Sequence, residues 1–267
     1  MPLLRCEIRA SRFRGQGLSP RRTFLKLAGA GAVVGAAYGG AGLLRRISAP
    51  SLTYEPLPGV AGFRRVAGGA VSSGATQFVG LGSAPTPAVE LPDICTALFA
   101  PDRPADAVPI AYFSDPRCVN CRQVSPILAE MDAGPGVHVT WHEWPILGPM
   151  SERAARATLA AERQGARAAF HTRLMGAALL PTDSYLARLA DEVGIDSTRL
   201  LADMSDPEID RRFARTVALA RTFGFAGTPA LVIGRTAVLG RMDRAQLQRL
   251  VEAERADTGP FPCPVGR

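Results

Sequence analysis

The sequence predicts an α/β fold interrupted by a block of helices, and three observations carry that prediction. Val108–Phe113 reads as a short buried strand that passes through the turn Ser114-Asp115-Pro116-Arg117 into Cys118-Val119-Asn120-Cys121 and a helix reaching about Met131. Val137–Trp144 alternates in the manner of a second strand. Far downstream, Gly227-Thr228-Pro229 stands directly ahead of the apolar run Ala230–Ile233, and about 75 residues of helical apolar spacing separate this strand from the second one.

Within that helical block the spacing predicts helices over Ala154–Met175, Ser184–Val193, Thr198–Met204 and Pro207–Phe223, with Gly165 and Gly194 as breaks and Asp206-Pro207 as a start. Gly234-Arg235 reads as a two-residue turn into a strand over Thr236–Leu239. Asp243 with Gln246 makes a capping-box-like start for a last amphipathic helix to about Glu254. The foldable part is thus expected over residues 91–256, with the insertion at about 151–225 and a tail over 257–267. Residues 50–90 are rich in Gly, Pro and Ser without a sustained period of 2 or 3.6, and are expected to be a flexible linker with adherent pieces around Phe63 and Phe78.

The chain has 267 residues and a net charge of +7, but the charge is concentrated at one end. Residues 1–50 hold nine Lys and Arg against the single acid Glu7, whereas residues 51–267 hold 22 against 23 Asp and Glu. The folded part is close to neutral, which removes the main support for a nucleic-acid surface. The basic head ends in Arg21-Arg22-Thr23-Phe24-Leu25-Lys26, and residues 27–44 then run without a charge to Arg45-Arg46. A positive segment followed by an uncharged one marks an export signal, and the twin arginine with Phe-Leu-Lys resembles a signal read by the Tat translocon. Residues 1–49 are therefore expected to be an export signal or a signal anchor. A small-residue cleavage site can be drawn at Ser48-Ala49; an uncleaved helix over 27–44 would reach ~27 Å, against the ~30 Å of a bilayer core, so anchoring stays open.

Export to an oxidising compartment makes the cysteines informative. Cys6 lies ahead of the twin arginine and is set apart from the rest. Cys95, Cys118, Cys121 and Cys263 remain; the spacing of Cys118 and Cys121 makes them a local pair, which leaves Cys95 with Cys263 as a candidate structural disulfide, free buried thiols being the alternative. A thiol in the first turn of a helix faces unpaired backbone N–H groups and the positive end of the helix dipole, both of which favour the thiolate. Cys121 sits on the same face and can reach the same sulfur. The pair supplies an attacking thiolate and a resolving partner, as disulfide exchange requires, with Cys118 expected to be the more accessible and Cys121 the shielded one. A structural disulfide or half a zinc site is the competing reading, and no second CxxC or His pair at ligand spacing supports it.

With the CxxC helix and the later Gly-Thr-Pro strand in this order, the sequence resembles the thioredoxin superfamily, and in particular the DsbA-like thiol:disulfide oxidoreductases of bacterial envelopes, over roughly Val108 to Glu254. Phe170-His171 within the insertion looks like the branch that includes the Com1- and ScsC-type proteins. The resemblance implies a thioredoxin-like fold with a helical insertion domain, a cis Pro229 against the CxxC, and backbone groups of Thr228 that pair with a substrate strand. It also implies cysteine-containing envelope proteins as substrates and a membrane redox partner, DsbB-like for an oxidase or DsbD-like for an isomerase or reductase, with no cofactor and no metal. Val119-Asn120 lacks the His that strongly oxidising relatives keep between their cysteines, and the first strand lacks the buried carboxylate that many relatives use for proton transfer. Asp115 is the nearest candidate for that role, a turn or cap residue being its other reading.

His138, His142 and His171 read as core, surface or capping residues rather than metal ligands, since no third ligand is evident. The function expected is protein thiol–disulfide exchange, introducing disulfides into envelope proteins. The alternatives are an isomerase or reductase of the same fold, or a non-enzymatic client-binding or copper-handling module.

Overall fold

The computed structural model describes residues 52–74, 91, 93–177 and 180–264. The signal over 1–49, Cys6 and linker residues 75–90 lie outside the described residues. From Thr53 onward the chain is one unit, built on a six-stranded mixed sheet: β1 (Glu55–Pro56), β2 (Arg64–Ala67), β3 (Val108–Ser114), β4 (Val137–Glu143), β5 (Ala230–Ile233) and β6 (Thr236–Leu239), in the spatial order β1-β2-β6-β5-β3-β4.

Burial explains why β3 is central. All seven of its residues are buried, as expected for a strand covered on both faces. It pairs in parallel with β4, from Val108 opposite Val137 to Ser114 opposite Glu143, and antiparallel with β5, from Ile110 opposite Ile233 to Phe113 opposite Ala230. The Gly234-Arg235 turn joins β5 to β6, with Gly234 at φ +54, the left-handed region that a turn of this length favours.

The helices are α1 (Ile94–Leu98), α2 (Cys121–Asp132), α3 (Pro149–Glu162), α4 (Arg167–Gly176), α5 (Asp183–Glu192), α6 (Ser197–Asp203), α7 (Pro207–Thr222) and α8 (Arg244–Ala256). Helices α3 to α7 form the insertion between β4 and β5. They bury a core of their own, in which Ala154, Ala157, Phe170, Leu186, Leu189 and Leu200 meet. The helical stretch expected over Ala154–Met175 with a break at Gly165 is two helices, Gly165 taking φ +73 and turning the chain between α3 and α4. Asp243 and Gln246 close a reciprocal capping box at the start of α8.

Two expected boundaries are corrected. The linker over 50–90 is part of the sheet in residues 55–67: β2 pairs in parallel with β6, and β1 pairs with β2. Phe63 packs edge-to-face on Phe223 at 5.1 Å, and Leu57 and Val60 enter the same apolar cluster. The segment is held by a buried carboxylate as well, since Glu254 of α8 accepts from Arg64, from the Thr236 hydroxyl and from the Arg235 backbone N–H. The tail from 257 also folds back. Cys263 is buried and bonded to Cys95, and its carbonyl accepts from Arg103 at 2.5 Å.

Candidate active site

The site is built where β3 ends. Asp115 closes the turn with its carbonyl, which accepts from the Cys118 N–H at 3.0 Å, and the Cys118 carbonyl accepts the first helical bond from Arg122 N–H at 3.1 Å. Cys118 therefore stands at the mouth of α2 and Cys121 in its first turn. The Cys121 N–H donates to Cys118 Sγ at 3.0 Å, and the Cys118 thiol lies 3.4 Å from the Thr228 carbonyl oxygen. The Thr228–Pro229 peptide bond is cis and brings β5 against the CxxC turn. Neither Cys118 nor Cys121 is disulfide-bonded.

Environment drives the two thiols apart. The Cys121 thiol, the Cys121 N–H at 3.0 Å and Ser72 lower Cys118 from 9.0 to about 6, against the upward push of its burial. Burial raises Cys121 well above the ordinary thiol range, reinforced by its hydrogen bond to Cys118 and by the negative charge there. One sulfur is held as thiolate and the other as thiol. The expected difference in access is not found: both cysteines are 0% exposed, although Val119 between them is 62% exposed. Cys118 is covered by Met175 and Leu147, which pack against the pair, and by Ser72 and Thr228, whose carbonyl oxygen lies 3.4 Å from its sulfur.

Asp115 is fully buried, and burial raises its pKa while hydrogen bonds from the Arg117 N–H, the Ser151 hydroxyl and the Leu147 and Ile146 N–H groups oppose the rise. These donors lie at 2.7, 2.8, 2.9 and 2.8 Å. No hydrogen bond joins the carboxylate to either sulfur. The donors on the carboxylate clamp the CxxC turn to the loop entering α3, as the turn or cap reading of Asp115 expects.

Several site residues were missed from the sequence. Under Cys121, the Tyr112 hydroxyl donates to the Cys121 carbonyl at 3.3 Å and meets Ser125 Oγ at 3.1 Å; Ser125 Oγ is 3.4 Å from His171 Nε2. His171 Nδ1 lies 3.5 Å from Glu143, which also accepts from Arg167 at 2.9 Å. This chain of polar groups pins α4 of the insertion to α2 beneath the cysteine pair. A polar residue inside an apolar strand, as at Tyr112, was the available signal. Ser72 gave none, because its place depends on contacts with residues far along the chain. His142 donates to the Leu98 carbonyl at 2.9 Å, and its burial lowers it to about 4. His138 alternates with it along β4. Among the described residues no group of three or more His, Cys, Asp and Glu could hold a metal ion, and no helix is long and apolar enough to cross a membrane.

A mixed sheet, a CxxC at a helix start and a cis-proline loop beside it define a thioredoxin-fold protein with a paired-cysteine centre. The family model for the DSBA-like thioredoxin domain matches residues 109–252, and the chain belongs to that family. It is a protein thiol:disulfide oxidoreductase. Among solved structures, it is similar to a thioredoxin-like oxidoreductase from Silicibacter pomeroyi DSS-3, with 39% identity over 58% of this chain and 90% of that one, at a TM-score of 0.53. A periplasmic thioredoxin-like protein from Salmonella enterica serovar Typhimurium is 26% identical, over 63% of this chain and all of that one, at 0.54. The catalytic domain of Proteus mirabilis ScsC is 26% identical, over 58% and 87%, at 0.51. No curated protein matches the chain.

Proposed function

We propose that the protein is exported and introduces disulfides into envelope proteins, with Cys118 as the exchanging sulfur and Cys121 as its partner. The observation that carries this reading is the Cys121 N–H donating to Cys118 Sγ at 3.0 Å, with the Cys121 thiol and Ser72 beside it. Donors to the thiolate stabilise the reduced protein, and a stabilised reduced form makes the disulfide form a stronger oxidant. In the oxidised state a client thiolate attacks Cys118 Sγ, the Cys118–Cys121 bond breaks, and Cys121 leaves with the electron pair and takes up a proton. A second client thiolate attacks the client sulfur of the mixed disulfide, and Cys118 leaves as thiolate. Two electrons pass from the client dithiol to the pair, and the high Cys121 pKa keeps the released thiol from attacking back.

The client is read as an extended segment adding to the Thr228 backbone beside Pro229, which supports residues Thr228 and Pro229 as the substrate-binding edge. The twin-arginine head supports export to the periplasm, cleaved or held at the cytoplasmic membrane through residues 27–44, and a periplasmic relative is consistent with it. A DsbB-like membrane partner would return the pair to the disulfide state. Oxidised protein added to an unfolded client with two thiols should yield one client disulfide per molecule consumed, with Cys118→Ala inert. Reduction of a disulfide-bonded client by the reduced protein, without oxidation in the first assay, would reverse the direction and implicate a DsbD-like partner.

A further inference from the structure

The covering of Cys118 has an identifiable source. After β2 the chain does not leave the sheet; it runs from Gly68 to Gly74 across the cysteine end of the fold. Gly68 and Gly69 lie so close to the chain after β6 that a Cβ would come within 2.0 Å of the Leu239 carbonyl oxygen and 2.4 Å of the Arg241 one. Only glycine permits that approach. The Arg241 N–H then donates to the Ala70 carbonyl at 2.8 Å.

Ser72 reaches Thr228 and forms an antiparallel bridge with it. The Ser72 N–H donates to the Thr228 carbonyl at 2.7 Å, and the Thr228 N–H donates to the Ser72 carbonyl at 2.8 Å. Asn120, inside the CxxC, donates through Nδ2 to Ser72 Oγ at 3.2 Å. Gly227 again accommodates the crossing, since a Cβ there would stand 2.8 Å from the Ser72 carbonyl oxygen. Both strand-pairing groups of Thr228 are thus spent on Ser72.

We propose that residues 70–74 are an internal ligand of the Thr228 edge, seated where an extended client strand would add, so that a protein client must displace Ser72 from Thr228 before exchange. The proposal rests on the reading of Thr228 as the client-binding edge. A residue offers one N–H and one strand-facing C=O, and a client cannot pair with groups already paired. The occupant is suited to leave. Its side chains are small, Val71 is 43% exposed, and the pairing at Thr228 is two backbone bonds, so opening gives up little buried apolar surface. The occupant also indicates what the edge accepts: an extended backbone with a small side chain against Gly227, and a hydroxyl or other acceptor facing Asn120.

Amide hydrogen exchange on the full chain tests this. Ser72 and Thr228 amides are followed in the reduced protein and in a Cys121→Ser protein carrying a cysteine peptide in mixed disulfide with Cys118. The expected result is a Ser72 amide protected in the first state and exchanging at least about five-fold faster in the second, the effect of one net hydrogen bond, while Thr228 stays protected by the peptide. A Ser72 amide equally protected in both states would overturn the proposal. Ser72→Pro, which removes the N–H that donates to Thr228, should raise the rate of exchange with the peptide about five-fold on the same grounds; a parental rate in a folded variant would also overturn it. If that variant does not fold, the amide measurement decides alone. Failure of the parent protein to form any mixed disulfide with the peptide would instead sink the exchange function itself, a separate outcome.

Discussion

Two sulfurs three residues apart carry opposite protonation because their surroundings differ, not their chemistry. Cys118 receives donors from Cys121 and Ser72 and is lowered to about 6, while Cys121 is enclosed and raised. Alkylation of the reduced protein should therefore rise with pH through a midpoint of about 6 at Cys118, with Cys121 unmodified until unfolding; mapping by mass spectrometry checks it, and a midpoint near that of a free cysteine would contradict it. The same shift bears on stability. The folded value lies below the unfolded one, so the contribution of Cys118 to the reduced form is complete above about 9 and is lost as pH falls through about 6. Urea unfolding of the reduced protein should show a stability that increases over that window relative to Cys118→Ala, which lacks the group.

At the scale of elements, the edge made by β1 and β2 depends on one buried carboxylate. The Glu254 side chain is 3% exposed and holds Arg64 at 2.6 Å, Thr236 at 2.5 Å and the Arg235 N–H at 2.9 Å. Glu254→Ala leaves these donors short of their acceptor and should cost about 3 kcal/mol, measured as a lower urea midpoint; a loss under ~1 kcal/mol would show that strand pairing alone holds the edge. This edge is also where reading the sequence fell short. Strands of two and four residues with a Gly-rich neighbourhood have no period to detect, and the partner of β2 lies at Thr236–Leu239, beyond any local pattern. The CxxC turn and Gly227-Thr228-Pro229 were legible because each is a local device, a helix start and a turn into an apolar strand. The helices of the insertion were legible from their apolar spacing and from stops such as Gly165. What stayed hidden at the site, namely Ser72 over Cys118 and Ser151 on Asp115, is produced by contacts between segments that only the fold brings together.

Over the whole molecule, the Cys95–Cys263 bond joins the entry of the domain, at α1, to its tail, across a sequence separation of 168 and with Cα atoms 5.1 Å apart. Closing a loop of that length removes unfolded-chain entropy worth about 5 kcal/mol in the chain-entropy account. A Cys95→Ala, Cys263→Ala protein should lose that much stability while its Cys118 alkylation profile stays in place, since neither residue contacts the pair; a displaced profile would tie the staple to the site. The central claim, that the donor set on Cys118 makes the pair an oxidant, is tested most directly by equilibrating the Cys118–Cys121 pair against glutathione buffers and quantifying the reduced fraction. A stabilised thiolate predicts a potential toward about −120 mV, the region of strongly oxidising relatives, whereas a value near about −270 mV would place the pair among reductants and contradict the account.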